Sequence, residues 1–436
     1  MKYLSSGVSI NKLLWFLIVL VSGSNIFLLS PFKIGETSIP ITFCISILGM
    51  ILYVGILAKK KTIRFKLMGA DYALLIFFVI NIVSTMINSF HYNYIYFVHN
   101  INGLLLLFAG IVYYFFIRIC VKNYKQTVLL FKVYFFSALI PSIYSILHFV
   151  TWKTGNPFFF KIGYDLYSQF WSANIFRASG FTPEPSHFAI YLSGVIFVGL
   201  FFLFEKKKQK STKRFLFSLI IISIALLLTF SQIIYIDLIF FFWFFIVNGK
   251  NRKKYFLIVL FLLIFFAIYG LDTTFNLGGI QLLAERKQTL LATIKGESNI
   301  GRFQSIEAGF EIFKKSPIIG IGLNNINLQM IKRAYKEKYI GGHTGVHSKF
   351  VTILMEAGII GFFIYFSFAM KVILKRINLV TFIKLPTNIS YAFFVIFILT
   401  GITGKFGTFF FFWFLAALTV NYSMFYRSPL NKEKIN

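Results

Sequence analysis

A small number of ionisable side chains stand out because the chain has so few carboxylates and histidines. Only 14 of its 436 residues are Asp or Glu and 6 are His, against 44 Lys and Arg. Histidine can accept or donate a proton near neutral pH, and arginine carries a permanent charge on a planar fork of hydrogen-bond donors. The chemistry to expect of such residues is proton transfer beside a bound anion.

The candidate residues stand within apolar segments or in the connections between them. The set comprises Arg177, Glu184, His187, Asp237, Arg302, His343, His347, Glu356 and Lys405. Asp237 and Glu356 are the only carboxylates that we place well inside apolar segments, where an ionisable group is costly and faces a partner or a cavity. The membrane topology predicted from the basic clusters places these residues near one side of the membrane. This pattern is typical of a site near the membrane surface.

Simpler roles remain open for several of these residues. Arg177 can anchor lipid headgroups, Asp237 can form a hydrogen bond between helices, and Glu356 can orient a neighbour. His343 and His347 have the spacing of metal ligands on a helix, but the glycines around them disfavour a helix. No Asp or Glu stands between the two histidines and no Cys is near. We therefore predict no metal site.

The elements that must position these residues are membrane helices. The chain is 58% hydrophobic and 13% charged, whereas a soluble protein has about 25% charged residues. Apolar runs of roughly 17–22 residues, long enough to cross ~30 Å of hydrocarbon, recur along the sequence. We predict helices near 12–31, 40–58, 72–90, 101–118, 128–149, 187–204, 215–230, 233–248, 255–271, 350–372, 388–403 and 406–425. The predicted fold is all-α, a polytopic integral membrane protein with about twelve transmembrane helices.

The net charge of +30 is explained by membrane topology. Basic clusters occupy alternate connections between the predicted helices: Lys59 to Lys66, Arg118 to Lys125, Lys206 to Arg214, Lys250 to Lys254, Lys371 to Lys384, and the tail from Arg427. Lys and Arg in short loops mark the cytoplasmic side, so both termini are predicted to be cytoplasmic. A nucleic-acid binder would gather these charges on one face, and we therefore predict no nucleic-acid partner.

Two connections on the predicted outer side are too long to be turns, at about 150–186 and 272–349. In the second, Phe303, Ile306, Phe310 and Phe313 recur at helical spacing. The sequence therefore predicts amphipathic helices lying on the membrane or over a cavity. We divide the chain into residues 1–271 with nine membrane helices, a large extracytoplasmic loop at 272–349, and residues 350–436 with three more helices and a tail.

Two stretches resemble a known family. Arg177-Ala-Ser-Gly-Phe-Thr-Pro-Glu-Pro-Ser-His187 resembles the arginine–glycine–proline stretch of O-antigen and capsule polymerases of the Wzy type. Gly301-Arg302, Ser316-Pro317-Ile-Ile-Gly320-Ile-Gly322 and the run from His347 to Gly361 are similar, in that order, to the shared region of the O-antigen ligase and polymerase superfamily. The family often has Asn where this chain has Ser348, and a tryptophan in the arginine-led helix, where this chain has phenylalanines.

The resemblance implies a GT-C-like, inverting glycosyltransferase at the outer, periplasmic face of the bacterial cytoplasmic (inner) membrane. Its donor and acceptor would be glycans linked to undecaprenyl diphosphate in the lipid bilayer. We expect Arg177 and Arg302 to stabilise the diphosphate leaving group and His347 to act as the base. The expected substrate-binding residues are Glu184, His187, His343, Asp237, Glu356 and Lys405. Because basic groups can neutralise the diphosphate, we expect a metal-independent reaction without a cofactor.

The sequence leaves three alternatives for the activity of the protein. A polymerase would move the growing glycan onto the terminal sugar of a new lipid-linked repeat unit, and the stretch from Arg177 to His187 favours this activity. A ligase would move the finished glycan onto lipid A core or protein. A third alternative is a flippase for lipid-linked oligosaccharide, although the chain shows no internal repeat. The family implies a chain-length regulator and a flippase as possible partners.

Overall fold

The computed structural model describes the greater part of the predicted membrane segments. The described residues are 15–20, 32–34, 37–39, 41–60, 67–91, 94–153, 177–182, 184–205, 212–231, 233–247, 297–325, 346, 348–374, 383–385, 388–403 and 410–425. They form helices α1 (Ile41–Lys60), α2 (Gly69–His91), α3 (Tyr94–Cys120), α4 (Tyr124–Ser137), α5 (Leu139–Lys153), α6 (Pro185–Glu205), α7 (Thr212–Leu228), α8 (Ile233–Val247), α9 (Glu297–Lys315), α10 (Lys349–Ile373), α11 (Ser390–Thr403) and α12 (Phe410–Phe425). A short helical stretch covers 15–20, and strands β1 (Phe32–Ile34) and β2 (Thr37–Ile39) form an antiparallel pair.

These helices confirm a polytopic α-helical membrane protein. Five described helical segments are long and apolar enough to cross a bilayer: Gly69–Asn88, Asn100–Cys120, Tyr124–Thr151, Pro185–Phe204 and Lys349–Ile373. Shorter apolar helices lie at Cys44–Tyr53, Ile233–Val247, Ser390–Ile402 and Phe410–Phe425. The total of about twelve spans stays a prediction. Within the described residues, the antiparallel pair of β1 and β2 departs from the predicted all-α fold.

Most predicted spans match helices, with two exceptions. The predicted helix at 255–271 lies outside the described residues, and of 12–31 only 15–20 is described as helical. The predicted span 128–149 lies within the apolar segment Tyr124–Thr151, in which a turn at Ala138 separates α4 from α5. The cause is Pro141, which has no amide hydrogen to donate to the Ser137 carbonyl and whose ring would collide with that carbonyl.

The described helices belong to two compact units. The first comprises Met1–Tyr134, Gln304–Arg376 and Gly401–Asn436. Within it α2 packs along α10, α3 packs along α12, and α1 packs along α3. The helices α3 and α12 approach closely because Gly110 has no side chain, and a Cβ there would overlap the indole ring of Trp413.

The second unit comprises Phe135–Phe303 and Ile377–Thr400. Here α7 packs on both α5 and α6, and α6 also contacts α8. The hydroxyl of Tyr391, in α11, donates to the Phe240 carbonyl of α8 at 2.7 Å. The Tyr391 ring packs edge-on against Phe197 and Trp243. Aromatic packing and one buried hydroxyl thus connect α6, α8 and α11.

A buried ion pair links α2, α3 and α12 of the first unit. The Asp71 carboxylate accepts hydrogen bonds from Arg118 Nε at 3.0 Å and Nη2 at 2.7 Å, and both side chains are fully buried. The Tyr114 hydroxyl and the Met68 amide also donate to Asp71, each at 2.7 Å. Arg118 donates in addition to the Asn421 side chain. Arg118 therefore belongs to a buried network, and its predicted place on the cytoplasmic side stays a prediction.

Replacing Asp71 by alanine is expected to lower the free energy of unfolding by about 3–5 kcal/mol, because the Arg118 charge would be left buried without its carboxylate. The measurement is thermal unfolding of the detergent-solubilised protein. A matched control is Glu311→Ala, since Glu311 pairs with Lys314 at 2.8 Å but both side chains are exposed. The control should change stability by about 0–1 kcal/mol. Equal losses in the two variants would contradict a special role for the buried pair.

Candidate functional site

The helix α10 is broken in its middle at Gly358, whose φ of 66° and ψ of −173° are not helical. The apolar run at 350–372 predicts one continuous helix, so that expectation is corrected. A break at this point removes the helical hydrogen bonds from the Ile359 amide to the Met355 carbonyl and from the Ile360 amide to the Glu356 carbonyl. Polar backbone groups exposed to hydrocarbon cost several kcal/mol each, and they must find partners within the protein.

The segment from Ser316 to Asn325, which we name the inserted loop, supplies those partners. Four backbone bonds join it to the break: Ile321 N–H to Met355 C=O (2.8 Å), Gly322 N–H to Glu356 C=O (3.0 Å), Ile359 N–H to Pro317 C=O (2.9 Å) and Ile360 N–H to Ile318 C=O (3.5 Å). The amides of Ile359 and Ile360 and the carbonyls of Met355 and Glu356 therefore bond to the loop. The loop and the two halves of α10 form one hydrogen-bonded structure.

Glycines at the junction are required by close approach and by backbone conformation. Gly320 and Gly358 have φ of 82° and 66°, in the left-handed region that side chains disfavour. A Cβ at Gly320 would overlap the backbone of Glu356, and a Cβ at Gly358 would overlap the backbone of Ile318. The Gly320-x-Gly322 motif in the sequence is thus explained by a backbone junction.

Glu356 is buried at this junction. Its Oε1 accepts the Asn324 amide hydrogen of the inserted loop at 2.8 Å. Its carbonyl also accepts from the Ser84 hydroxyl of α2 at 3.0 Å, and Asn88 of α2 donates to the Gly320 carbonyl at 3.0 Å. These contacts favour an orienting role for Glu356. Its predicted binding of substrate stays a prediction.

An apolar cluster holds α9 against α10. It consists of Ala308, Ile312, Ile321, Val346 and Met355. The helix α9 confirms the amphipathic helix predicted from Arg302 to Lys315, and Arg302 lies in its second turn. Val346 directly precedes His347. The cluster therefore fastens the helix that carries Arg302 to the residue before His347.

Lys349 is a buried charge that the sequence did not single out. It is 2% exposed, and its Nζ lies 4.2 Å from the Phe412 ring centre and 5.3 Å from that of Tyr365. Aromatic faces stabilise a cation in this position. A lysine at the edge of an apolar run ordinarily extends to the membrane surface. The position of Lys349 in the sequence therefore did not indicate that its side chain is buried.

In the second unit, Arg177 packs at the end of α7. It is 8% exposed, and its Nε donates to the Thr229 carbonyl at 3.0 Å. The next residue, Ala178, donates its amide hydrogen to the Leu228 carbonyl at 2.9 Å. Carbonyls at a helix C-terminus lack helical partners and favour a cation nearby. The burial of Arg177 argues against the simpler role of an exposed headgroup anchor.

Glu184 and His187 lie together near the start of α6. Glu184 Oε2 is 3.6 Å from His187 Nε2 and 3.2 Å from the Ser186 hydroxyl, which donates to it. The Glu184 side chain is 54% exposed and that of His187 is 14% exposed. Among the predicted site residues whose side chains are described, this pair offers the most accessible polar atoms.

Asp237 is 1% exposed between α6 and α8. Its Oδ2 accepts a hydrogen bond from the Ser193 hydroxyl at 2.5 Å. This geometry favours the role of a hydrogen-bonding group between helices, and the predicted contact with substrate stays a prediction. Burial of a carboxylate in a membrane helix is tolerated where such a partner is present.

Three predicted site residues, His343, His347 and Lys405, lie outside the described residues, as does the side chain of Arg302. In the described part of the chain, no three His, Cys, Asp or Glu side chains come together as metal ligands would. The predictions for these four residues therefore rest on the sequence and on their described neighbours.

The profile of a family described as O-antigen ligase matches residues 216–366. The matched region contains Asp237, Arg302, His347 and Glu356, together with α9, the inserted loop and the broken part of α10. No curated protein matches the sequence. The match confirms the predicted resemblance at the level of the O-antigen ligase and polymerase superfamily, a family of glycosyltransferase-like enzymes of bacterial membranes.

Alanine at Gly358 or Gly320 is expected to prevent insertion of the loop, because the Cβ would occupy backbone space at a left-handed φ. The measurement is the yield of monodisperse protein and its melting temperature. Gly69→Ala is the control, since the nearest atom to a Cβ there is 3.4 Å away in the Lys371 side chain. Normal yield and stability of Gly358→Ala would contradict the described junction.

Replacing Glu356 by glutamine separates an orienting role from a charged role. Glutamine keeps an oxygen to accept the Asn324 amide hydrogen, so Glu356→Gln is expected to retain stability and most activity. Glu356→Ala leaves that amide without its acceptor and should cost about 1–3 kcal/mol of stability. Thermal unfolding and glycan transfer are measured on both variants. Loss of activity in a stable glutamine variant would show that the carboxylate charge itself is needed.

Proposed function

We propose that this chain is a glycosyltransferase that takes a glycan from undecaprenyl diphosphate and transfers it to a sugar hydroxyl at the outer face of the bacterial cytoplasmic membrane. The observation that carries the proposal is the family match over residues 216–366. Within that region the helix of Arg302 is packed against Val346, the neighbour of His347. The proposed chemistry needs a phosphate-binding arginine and a base.

The reaction is a single displacement. The acceptor oxygen attacks the anomeric carbon, and the bond from that carbon to the phosphate oxygen breaks with its electron pair remaining on the diphosphate. His347 accepts the proton of the acceptor hydroxyl, which activates the nucleophile. One displacement from the opposite side inverts the anomeric carbon.

Negative charge accumulates on the leaving diphosphate, and guanidinium groups are suited to stabilise it. An arginine presents paired N–H donors that match phosphate oxygens, and the effect is strong in a water-poor site. We assign this task to Arg302 and Arg177. For Arg177 the bond from Nε to the Thr229 carbonyl fixes the plane of the guanidinium. Because these groups supply positive charge, we propose that the reaction needs no metal or cofactor.

The remaining predicted residues are proposed to bind the glycan and its lipid carrier. Glu184 and His187 are accessible and paired, and such groups can bind sugar hydroxyls. His343, Lys405 and Asp237 complete the proposed set. A chain-length regulator and a flippase are proposed as partners.

Two related activities have separate support. The polymerase activity is favoured by the segment from Arg177 to His187, which resembles polymerases. The ligase activity is favoured by the matched family, which is described as O-antigen ligase. The donor and the bond broken are the same in both, and the acceptor decides between them. We propose the polymerase, with transfer to lipid A core or protein as the second candidate.

The test is reconstitution of the purified protein in liposomes with a synthetic undecaprenyl-diphosphate repeat unit, with EDTA present throughout. We expect a ladder of glycan lengths for the wild type. His347→Ala should reduce the rate by about 10²–10⁴-fold through loss of the base. Arg302→Ala should reduce it by about 10²–10³-fold through loss of charge stabilisation.

The matched control is Lys314→Ala, which removes an exposed basic side chain from the same helix as Arg302 and should leave the rate unchanged. Wild-type rates in both the His347 and Arg302 variants would overturn the site assignment. Activity that disappears with EDTA and returns with Mg²⁺ would overturn metal independence. Transfer only to an added core acceptor, without a ladder, would favour the ligase.

A further inference from the structure

The residues on either side of His347 are fixed to different helices. Val346, before it, is 4% exposed and packs in the apolar cluster with Ala308 and Ile312 of α9. Ser348, after it, is buried at the start of α10. Consecutive Cα atoms are about 3.8 Å apart. Both sequence neighbours of His347 are therefore anchored, one to α9 and the other at the start of α10.

The Ser348 hydroxyl joins the ends of two helices. Ser348 is the N-cap of α10, with extended φ and ψ of −145° and 121°, and its Oγ accepts the Val351 amide hydrogen at 3.4 Å. The same Oγ donates to the Gly401 carbonyl at 3.0 Å. A hydroxyl has one hydrogen to donate and lone pairs to accept, so it can make both bonds together. Gly401 lies in the last turn of α11, where carbonyls need partners from outside the helix.

Packing around this hydroxyl leaves little freedom for the start of α10. A Cβ on Gly401 would overlap the ring of Phe350, so these two residues of the first unit are in close contact. The Ser348 carbonyl accepts from the Thr352 amide at 2.9 Å and from the Thr352 hydroxyl at 2.8 Å. The hydroxyl and the carbonyl of Ser348 are thus both used to orient the first turn.

We propose that Ser348 is a positioning residue, whose bond to Gly401 and cap on α10 hold His347 in the orientation needed to accept the proton of the acceptor hydroxyl. This inference rests on the proposed function, in which His347 is the base. In this proposal Ser348 acts through its neighbour and not by contact with the substrate. A base displaced by about 1 Å can lose about 100-fold in rate although binding of the substrate is unchanged.

The side chain at this position must both accept and donate. Alanine can do neither, whereas threonine carries the same hydroxyl and asparagine carries a carbonyl oxygen and an amide hydrogen. Threonine and asparagine are also good N-cap residues. Ser348→Thr and Ser348→Asn should therefore retain function where Ser348→Ala does not.

The experiment measures kcat and KM for the lipid-linked donor in reconstituted full-length protein. Ser348→Ala should lower kcat by about 10- to 100-fold with little change in KM, because a misplaced base slows chemistry without weakening binding. Ser348→Thr should retain most of the wild-type kcat. In a His347→Ala background, Ser348→Ala should cause no further loss, because two residues that act as a unit are not additive.

Thr400→Val is the matched control. It removes a buried hydroxyl next to Gly401 that, among the described residues, donates to the Ile396 and Phe397 carbonyls of its own helix. Its kcat should stay within about threefold of the wild type, since no group near α10 is lost. A similar kcat loss in Thr400→Val and Ser348→Ala would overturn the inference, as would an equal loss from Ser348→Ala with and without His347.

The two proposals fail in different ways. If His347→Ala retains the wild-type rate, the proposed base is wrong and the inference about Ser348 falls with it. If His347→Ala is inactive and Ser348→Ala retains the wild-type kcat, the proposed function stands and only the positioning role is refuted.

Discussion

The central constraint on this protein is that backbone polar groups in a bilayer must be satisfied within the chain. The break at Gly358 takes two hydrogen bonds out of α10, and water is not present in hydrocarbon to replace them. The inserted loop replaces them with four bonds of its own. Non-helical backbone is stable here because it pairs with other non-helical backbone, and the absence of side chains at Gly320 and Gly358 lets the two segments approach.

The position of the proposed chemistry follows from this junction. The inserted loop begins where α9 ends, and α9 is packed on Val346 and Met355 through the apolar cluster. Glu356 fastens the loop from the other side by accepting the Asn324 amide. As a result α9, which carries Arg302, and the start of α10, which follows His347, are held by the same set of contacts. Rigid support of this kind is what a catalytic site requires.

Sequence patterns predicted the class of the protein and the membrane helices because apolar run length is a local property. The helical spacing of Phe303, Ile306 and Phe310 likewise predicted α9. The break in α10 was not predictable, since the run around Gly358 is apolar apart from Glu356, and the bonds that compensate for the break come from residues 34 to 42 positions earlier in the chain. The ion pair between Asp71 and Arg118 was also not predictable, because the two residues are 47 positions apart. Each stands at the edge of a predicted span, where a charged residue is ordinary.

The candidate site was predicted less completely than the fold. Spacing and resemblance selected Arg177, yet its contact with the end of α7 depends on a carbonyl 52 residues away. The burial of Lys349 and the contacts of Ser348 were not predicted, because a lysine or serine beside an apolar run is ordinary in sequence. Their importance lies in burial and in partners on α11 and α12, which only the folded chain supplies.

The proposal that this chain breaks the bond between a glycan and its lipid diphosphate is tested most directly by the fate of the lipid. Purified protein in liposomes is given a donor whose undecaprenyl chain is labelled, and free undecaprenyl diphosphate is measured together with glycan transfer. We predict one undecaprenyl diphosphate released for each glycosidic bond formed, and release that is about 10²–10⁴-fold slower with His347→Ala. Movement of intact donor across the bilayer without release of undecaprenyl diphosphate would contradict the account and indicate a transporter.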